Sequence, residues 1–261
     1  MARVDVAIAD EKQWQGIDSD VLHIILEGTY RSFVDMMGYE LDKDIVVTND
    51  LDSQTPMIFF PLNTREERES YHITLKVEDT RHWGEIVYQL SHEICHAYCN
   101  FYKAKATKHK WFEEAICEAG AFSNLNNIYQ TWSDLRKRAH PALETFRQEI
   151  RRYLEKLLEG VPQGITTGDI LEFINVNLPI FEIKSITKIW DRDSHIKLRA
   201  ISCYLCEQLF YADSRYWRSV LHFNEWDATT DKNFVSFINS WAKHGGDDVR
   251  PVAASLGILL I

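Results

Sequence analysis

Residues 83–98 read WGEIVYQLSHEICHAY, and they contain the run His92-Glu93-Ile94-Cys95-His96. The alternating pattern of the preceding segment gives way here to a helical period, so Trp83 to about Asn100 reads as one helix. His92 and His96 are four residues apart. On a helix that places them about 40° apart on one face, one turn above the other. Two imidazoles stacked this way can reach one zinc ion at about 2.0–2.1 Å each. Glu93 projects about 100° round from His92, beside such an ion without ligating it. A carboxylate there can take a proton from metal-bound water. The plainer alternative is an amphipathic helix carrying two incidental histidines.

A third ligand separates these readings. The pattern with Gly and then His three and six residues after the second histidine is excluded, because Cys99 and Tyr102 stand there. The remaining solution is a glutamate from a following helix, which leaves the fourth position open. Beyond the lysine-rich stretch Lys103 to Lys110, Trp111-Phe112-Glu113-Glu114-Ala115-Ile116-Cys117-Glu118 begins such a helix. Glu114 and Glu118 lie one turn apart on a shared face. Glu114 can ligate, and Glu118 can accept the outer N–H of a ligating histidine such as His92, which fixes its tautomer. Glu113 and His109 are rival third ligands. The spacing to Trp111 and Glu118 prefers Glu114, and a loop position such as 109 holds geometry less well than a helix.

These two blocks, His92–His96 and Trp111–Glu118, resemble those of the gluzincins, the thermolysin-like and aminopeptidase-like zinc peptidases. Glu114-Ala115-Ile116-Cys117-Glu118 is similar to the thermolysin-type ligand segment, with Glu118 where that pattern has Asp. Trp111-Phe112-Glu113-Glu114-Ala115 resembles the aminopeptidase-type Trp-Leu-Asn-Glu-Gly. No Gly-x-Met-Glu-Asn segment precedes the motif helix, so recognition of a free N-terminus is not implied. The resemblance implies a zincin-like core, one Zn2+ ion, a peptide or protein substrate, and a Tyr or His from the helical half that stabilises the oxyanion. His195, Tyr204, Tyr211 and His222 are the candidates, with Tyr204 and His195 preferred. It also suggests Tyr71–Val77 as an edge strand for extended substrate, against the alternative of an ordinary core strand.

Working outward, Asp18 or Ser19 caps a helix running to about Met37, with Gly38 as its stop. Residues 45–48 and 57–60 are short apolar runs. Tyr71, Ile73, Leu75 and Val77 alternate with His72, Thr74 and Lys76, the mark of a half-buried strand. From Pro141 the pattern is helical, in segments near 141–159, 166–177, 195–212, 214–223 and 230–243, broken by Gly160, Pro162, Gly164, Pro179 and Gly245-Gly246. The fold class is α+β: a small N-terminal sheet, the motif helix and a mostly helical C-terminal half. The expected division is 1–130, carrying the metal site, and 131–261, a helical subdomain closing the cleft.

The 261 residues are 45% hydrophobic and 12% aromatic, enough for a substantial core without disulfides. A net charge of −10 disfavours nucleic acid and anionic membrane as partners, since both attract basic surfaces. The opening residues show no apolar signal segment, and no apolar run is long enough to span a bilayer. Five cysteines, at 95, 99, 117, 203 and 206, then point to reduced thiols in a cytoplasm. Cys203-x-x-Cys206 and the group Cys95, Cys99 and Cys117 read as core packing, with a mixed Cys/His metal site the alternative for the latter. The leading expectation is zinc-dependent peptide-bond hydrolysis with Glu93 as general base. The rivals are a catalytically idle zincin-fold binding protein and a zinc hydrolase of a non-peptide bond.

Overall fold

A computed structural model gives the fold and describes residues 3–14, 16–61, 69–79, 81–100, 103, 108–136, 143–187, 190–211, 213–226 and 233–258. The elements are β1 (Val6–Ile8), α1 (Ser19–Met37), β2 (Ile45–Asn49), β3 (Met57–Phe59), β4 (Tyr71–Leu75), α2 (Trp83–Tyr98), α3 (Trp111–Arg136), α4 (Phe146–Leu157), α5 (Ile170–Thr187), α6 (Arg192–Leu205), α7 (Phe234–Gly245) and α8 (Arg250–Ser255). A π-helical turn, Cys206–Phe210, and a 3-10 stretch, Ser214–Glu225, lie between α6 and α7. The class is α+β, with one small sheet and many helices. Among the described residues no helix is long and apolar enough to cross a membrane.

The chain groups into two compact units, residues 1–97 with 120–157 and residues 98–119 with 158–261. The boundary expected between 130 and 131 falls inside α3, which runs unbroken from Trp111 to Arg136. Residues 137–142, just beyond that expected boundary, lie outside the described residues, as do residues 104–107 of the lysine-rich stretch.

The first unit holds the sheet, in the order β1-β2-β4-β3, with β1, β2 and β4 parallel and β3 antiparallel to β4. Tyr71, Ile73 and Leu75 of β4 are buried and His72 and Thr74 half-buried, following the alternation in the sequence. β4 is nevertheless an interior strand, flanked by β2 and β3, so the edge position suggested for it belongs to β3. The alternation reports which face is buried; the neighbours of a strand are set by pairing partners far away in sequence. β1 also went unread, because three residues are too few to carry a period.

Helix α1 starts where Asp18 accepts hydrogen bonds from the Asp20 and Val21 amides, and it ends at Gly38, whose φ of 66° suits a residue without Cβ. Two side-chain clasps follow, one on α2 and one on the chain leading to it. Gln89 accepts from the Lys76 amide at 2.8 Å and donates to the Lys76 carbonyl at 2.9 Å, so α2 is held to the chain leaving β4. Asn49 makes the same paired contact with Val77, at 2.9 and 3.0 Å. The Gln89 bonds restrain the rotation of α2 about its axis, and therefore which face carries the histidines.

The later turns of α3 are tied to the same unit. Asn124 donates to Ser91 Oγ at 2.8 Å and to the Thr29 carbonyl at 3.0 Å. Gly120 lies so close to α2 that a Cβ there would stand 3.0 Å from Cys95 Sγ and 3.3 Å from Phe33 Cζ. Small size at position 120 is what allows this approach.

The second unit is all helical, around an aromatic core. The Trp111 ring stacks on Phe181 at 4.8 Å and lies 5.0 Å from Phe234. Phe112, Phe223, Phe237 and Trp241 are buried with them. Helix α5 runs through Pro179, where a break was expected. Pro179 and Asn175, whose carbonyl the proline cannot serve, are both exposed, so water can satisfy the lost bond.

Gly120→Val drives a branched side chain into Cys95 and Phe33, and overpacking of this kind costs about 1–3 kcal/mol. Urea unfolding checks it: the midpoint falls with an unchanged m-value, and an unaltered midpoint contradicts the close approach.

Candidate metal centre

His92 and His96 project from α2 with ring centroids 5.0 Å apart and planes at 70°. His96 is buried and His92 half-buried. The Tyr88 ring, one turn before His92, lies 6.3 Å from it and 5.7 Å from Tyr153 of α4. Glu93 is buried.

Helix α3 carries the third group. One ligand atom each from His92, His96 and Glu114 can be chosen so that all three lie within 4.8 Å of one another. Glu114 sits on the same continuous helix as Gly120 and Asn124, which are packed on α2 and α1. Two imidazole nitrogens and a carboxylate oxygen are the donor set of one kind of zinc site, in which each stands about 2.0–2.2 Å from the ion.

Glu113 falls in a second group, with His96 and Cys117, whose ligand atoms also lie within 4.8 Å of one another. The Glu113 carboxylate accepts a hydrogen bond from Asn224 Nδ2 at 3.2 Å, and the same amide donates to the Cys99 carbonyl at 2.7 Å. His109 is fully buried beside Phe234 and Phe237, with Nδ1 3.7 Å from Glu182 Oε1.

The remaining sequence candidates have the following contacts. Glu118 is buried and accepts from Arg199 Nε of α6 at 2.6 Å. Tyr204 is buried, and its hydroxyl meets the Ser255 carbonyl and Thr167 Oγ1, tying α6 to α8. His195 is exposed in the first turn of α6, beside Trp190, just after the capping box formed by Asp191 and Ser194. Tyr211 is exposed. His222 sits between two carboxylates, with Nδ1 3.2 Å from Glu225 and Nε2 3.4 Å from Asp248.

Gln89 and Arg199, which hold their neighbours in place, escaped the sequence reading. Gln89 had a signal available: it lies one turn before Glu93 on the polar face of α2, as a clasp to the incoming strand must. Arg199 had none, because it is 81 residues from Glu118 and no local spacing joins them.

All five cysteines are thiols. Burial pushes the Cys203 thiol up to about 12, with Glu207 and Glu118 adding to the rise. At neutral pH it stays protonated and a poor nucleophile.

The chain matches no family model, no curated protein and no solved structure.

Two outcomes follow from these contacts. Arg199→Ala leaves the Glu118 carboxylate buried without its guanidinium, and losing one partner of such a pair costs about 3 kcal/mol. Equilibrium unfolding in urea measures it, and wild-type stability in the variant contradicts the pairing. Cys203 resists iodoacetamide at pH 8 in the native protein and reacts once urea unfolds the chain, as peptide mass mapping reads. Rapid native labelling at 203 contradicts the raised value.

Proposed function

We propose that this protein is a zinc-dependent hydrolase that cleaves peptide bonds. His92, His96 and Glu114 would hold one Zn2+ ion, and the observation that carries the reading is the convergence of their three ligand atoms within 4.8 Å. The ion supplies Lewis acidity and lowers the pKa of water. Glu93 follows His92 on the same helix, placed to take a proton from that water and hand it to the leaving amine. The clasp of Gln89 onto Lys76 and the bond of Asn124 to Ser91 keep the histidine face in register with α3. Strand β3 is an edge strand antiparallel to β4, and its backbone offers an extended peptide main-chain pairing of the kind that captures substrates by strand addition. Five thiols suit a reducing, cytoplasmic setting.

A second reading, a zincin-like scaffold that binds without turning over, is favoured by one observation. The hydroxyl of Tyr204, the preferred oxyanion partner, is engaged by Ser255 and Thr167. Tyr88, beside His92, and Tyr153, beside Tyr88, are the tyrosines to test in its place.

The decisive pair of variants is Glu93→Gln and His96→Ala, assayed with a fluorogenic peptide library and by metal analysis. Glu93→Gln keeps one zinc per chain and loses at least about a hundredfold in kcat, in the range a general base contributes. His96→Ala loses the zinc. A wild-type protein that holds zinc and cleaves nothing supports the scaffold reading, and one that folds without taking zinc removes both.

A further inference from the structure

The three cysteines nearest the motif converge. One sulfur each from Cys95, Cys99 and Cys117 lies within 4.8 Å of the other two, and all three residues are fully buried. Cys95 lies in the last turn of α2 and Cys99 in the turn just beyond its end, and Cys117 comes from α3 one turn before Gly120. The close approach that Gly120 permits at Cys95 brings a thiol of one helix toward thiols of the other.

We propose that Cys95, Cys99 and Cys117 form a second, all-sulfur site that takes a soft monovalent cation of the copper(I) class. Three sulfurs around one ion at about 2.3 Å stand about 4 Å from one another. Separations within 4.8 Å therefore suit an ion shared by three thiols. Thiolates select soft d10 cations over hard ones, and sulfur is the only donor type in this group. Full burial favours a cation satisfied by three ligands without water over one that needs a fourth. Each thiol that ligates gives its proton to solvent, and the cation then offsets the cost of thiolate charge in a dry interior.

Cys117 also belongs to the group with His96 and Glu113, so the all-sulfur set and a mixed nitrogen, oxygen and sulfur set compete for it. Donor softness decides between them: a copper(I) ion takes the sulfurs and leaves His96 to the zinc set. The inference is independent of zinc at His92, His96 and Glu114, and it holds whether or not the protein is a hydrolase.

The test uses the full-length, reduced protein under anaerobic conditions, with copper(I) presented as its coloured bicinchoninate complex. Wild-type protein withdraws one equivalent of copper. Cys99→Ala and Cys117→Ala, each checked for native circular dichroism, lose affinity at least tenfold, whereas Cys203→Ala and His92→Ala keep it. Copper-edge X-ray absorption on the loaded wild-type protein adds a readout that needs no variant, with three sulfurs and no nitrogen as the expected shell. Failure to withdraw copper, equal affinity in the Cys99 and Cys117 variants, or a nitrogen-containing shell overturns the proposal. Failure of zinc binding or of peptidase activity leaves it standing, so the two readings fail separately.

Discussion

The packing of α3 on α2 at Gly120 is the constraint from which the candidate chemistry follows. A side chain at 120 would collide with Cys95 and Phe33, so the helices meet there without one. Asn124 adds directional bonds to Ser91 and Thr29, which fix how far α3 slides along its neighbours. Ser91 immediately precedes His92, and Glu114 lies on α3 before Gly120, so the same contacts that bury the helix pair also set the spacing of the ligand atoms. On the other side of α2, Gln89 binds both backbone groups of Lys76 and stops the helix from rolling. The face that carries His92 and His96 is thus held by polar clasps on two sides, an arrangement that packing of apolar side chains alone would define less sharply.

Much of this was legible in the residues. The four-residue spacing of His92 and His96, and the helix opening at Trp111, are local features that one helical turn explains. The cap at Asp18, the stop at Gly38 and the alternation of β4 are equally local. What escaped is non-local or too short. The interior position of β4 depends on which strands pair with it, and the Glu118–Arg199 pair joins segments with no common period. The contact of the Tyr204 hydroxyl with the Ser255 carbonyl is likewise non-local, joining residues 51 apart in sequence. Pro179 looked like a helix end, but a proline on a solvent-facing turn leaves the rest of the helix to be held by its buried side, through Ile174, Asn177 and Phe181.

The same stretch of α2 and α3 presents three overlapping donor groups, two of which include His96 and two Cys117. Their chemistry separates them. Two imidazoles and a carboxylate suit a borderline cation that retains an open position for water, whereas three buried thiols suit a softer ion that needs none. Glu113 and Glu114 are adjacent but not equivalent: the Glu113 carboxylate accepts from Asn224 and groups with His96 and Cys117, whereas Glu114 groups with both histidines.

The claim on which the hydrolase reading rests is that α2 and α3 aim two imidazoles and one carboxylate at a single ion. Diffraction from zinc-loaded crystals, recorded on both sides of the zinc absorption edge, tests it most directly. The account predicts one anomalous peak bounded by the side chains of His92, His96 and Glu114. A peak elsewhere, or none at full zinc loading, would contradict it.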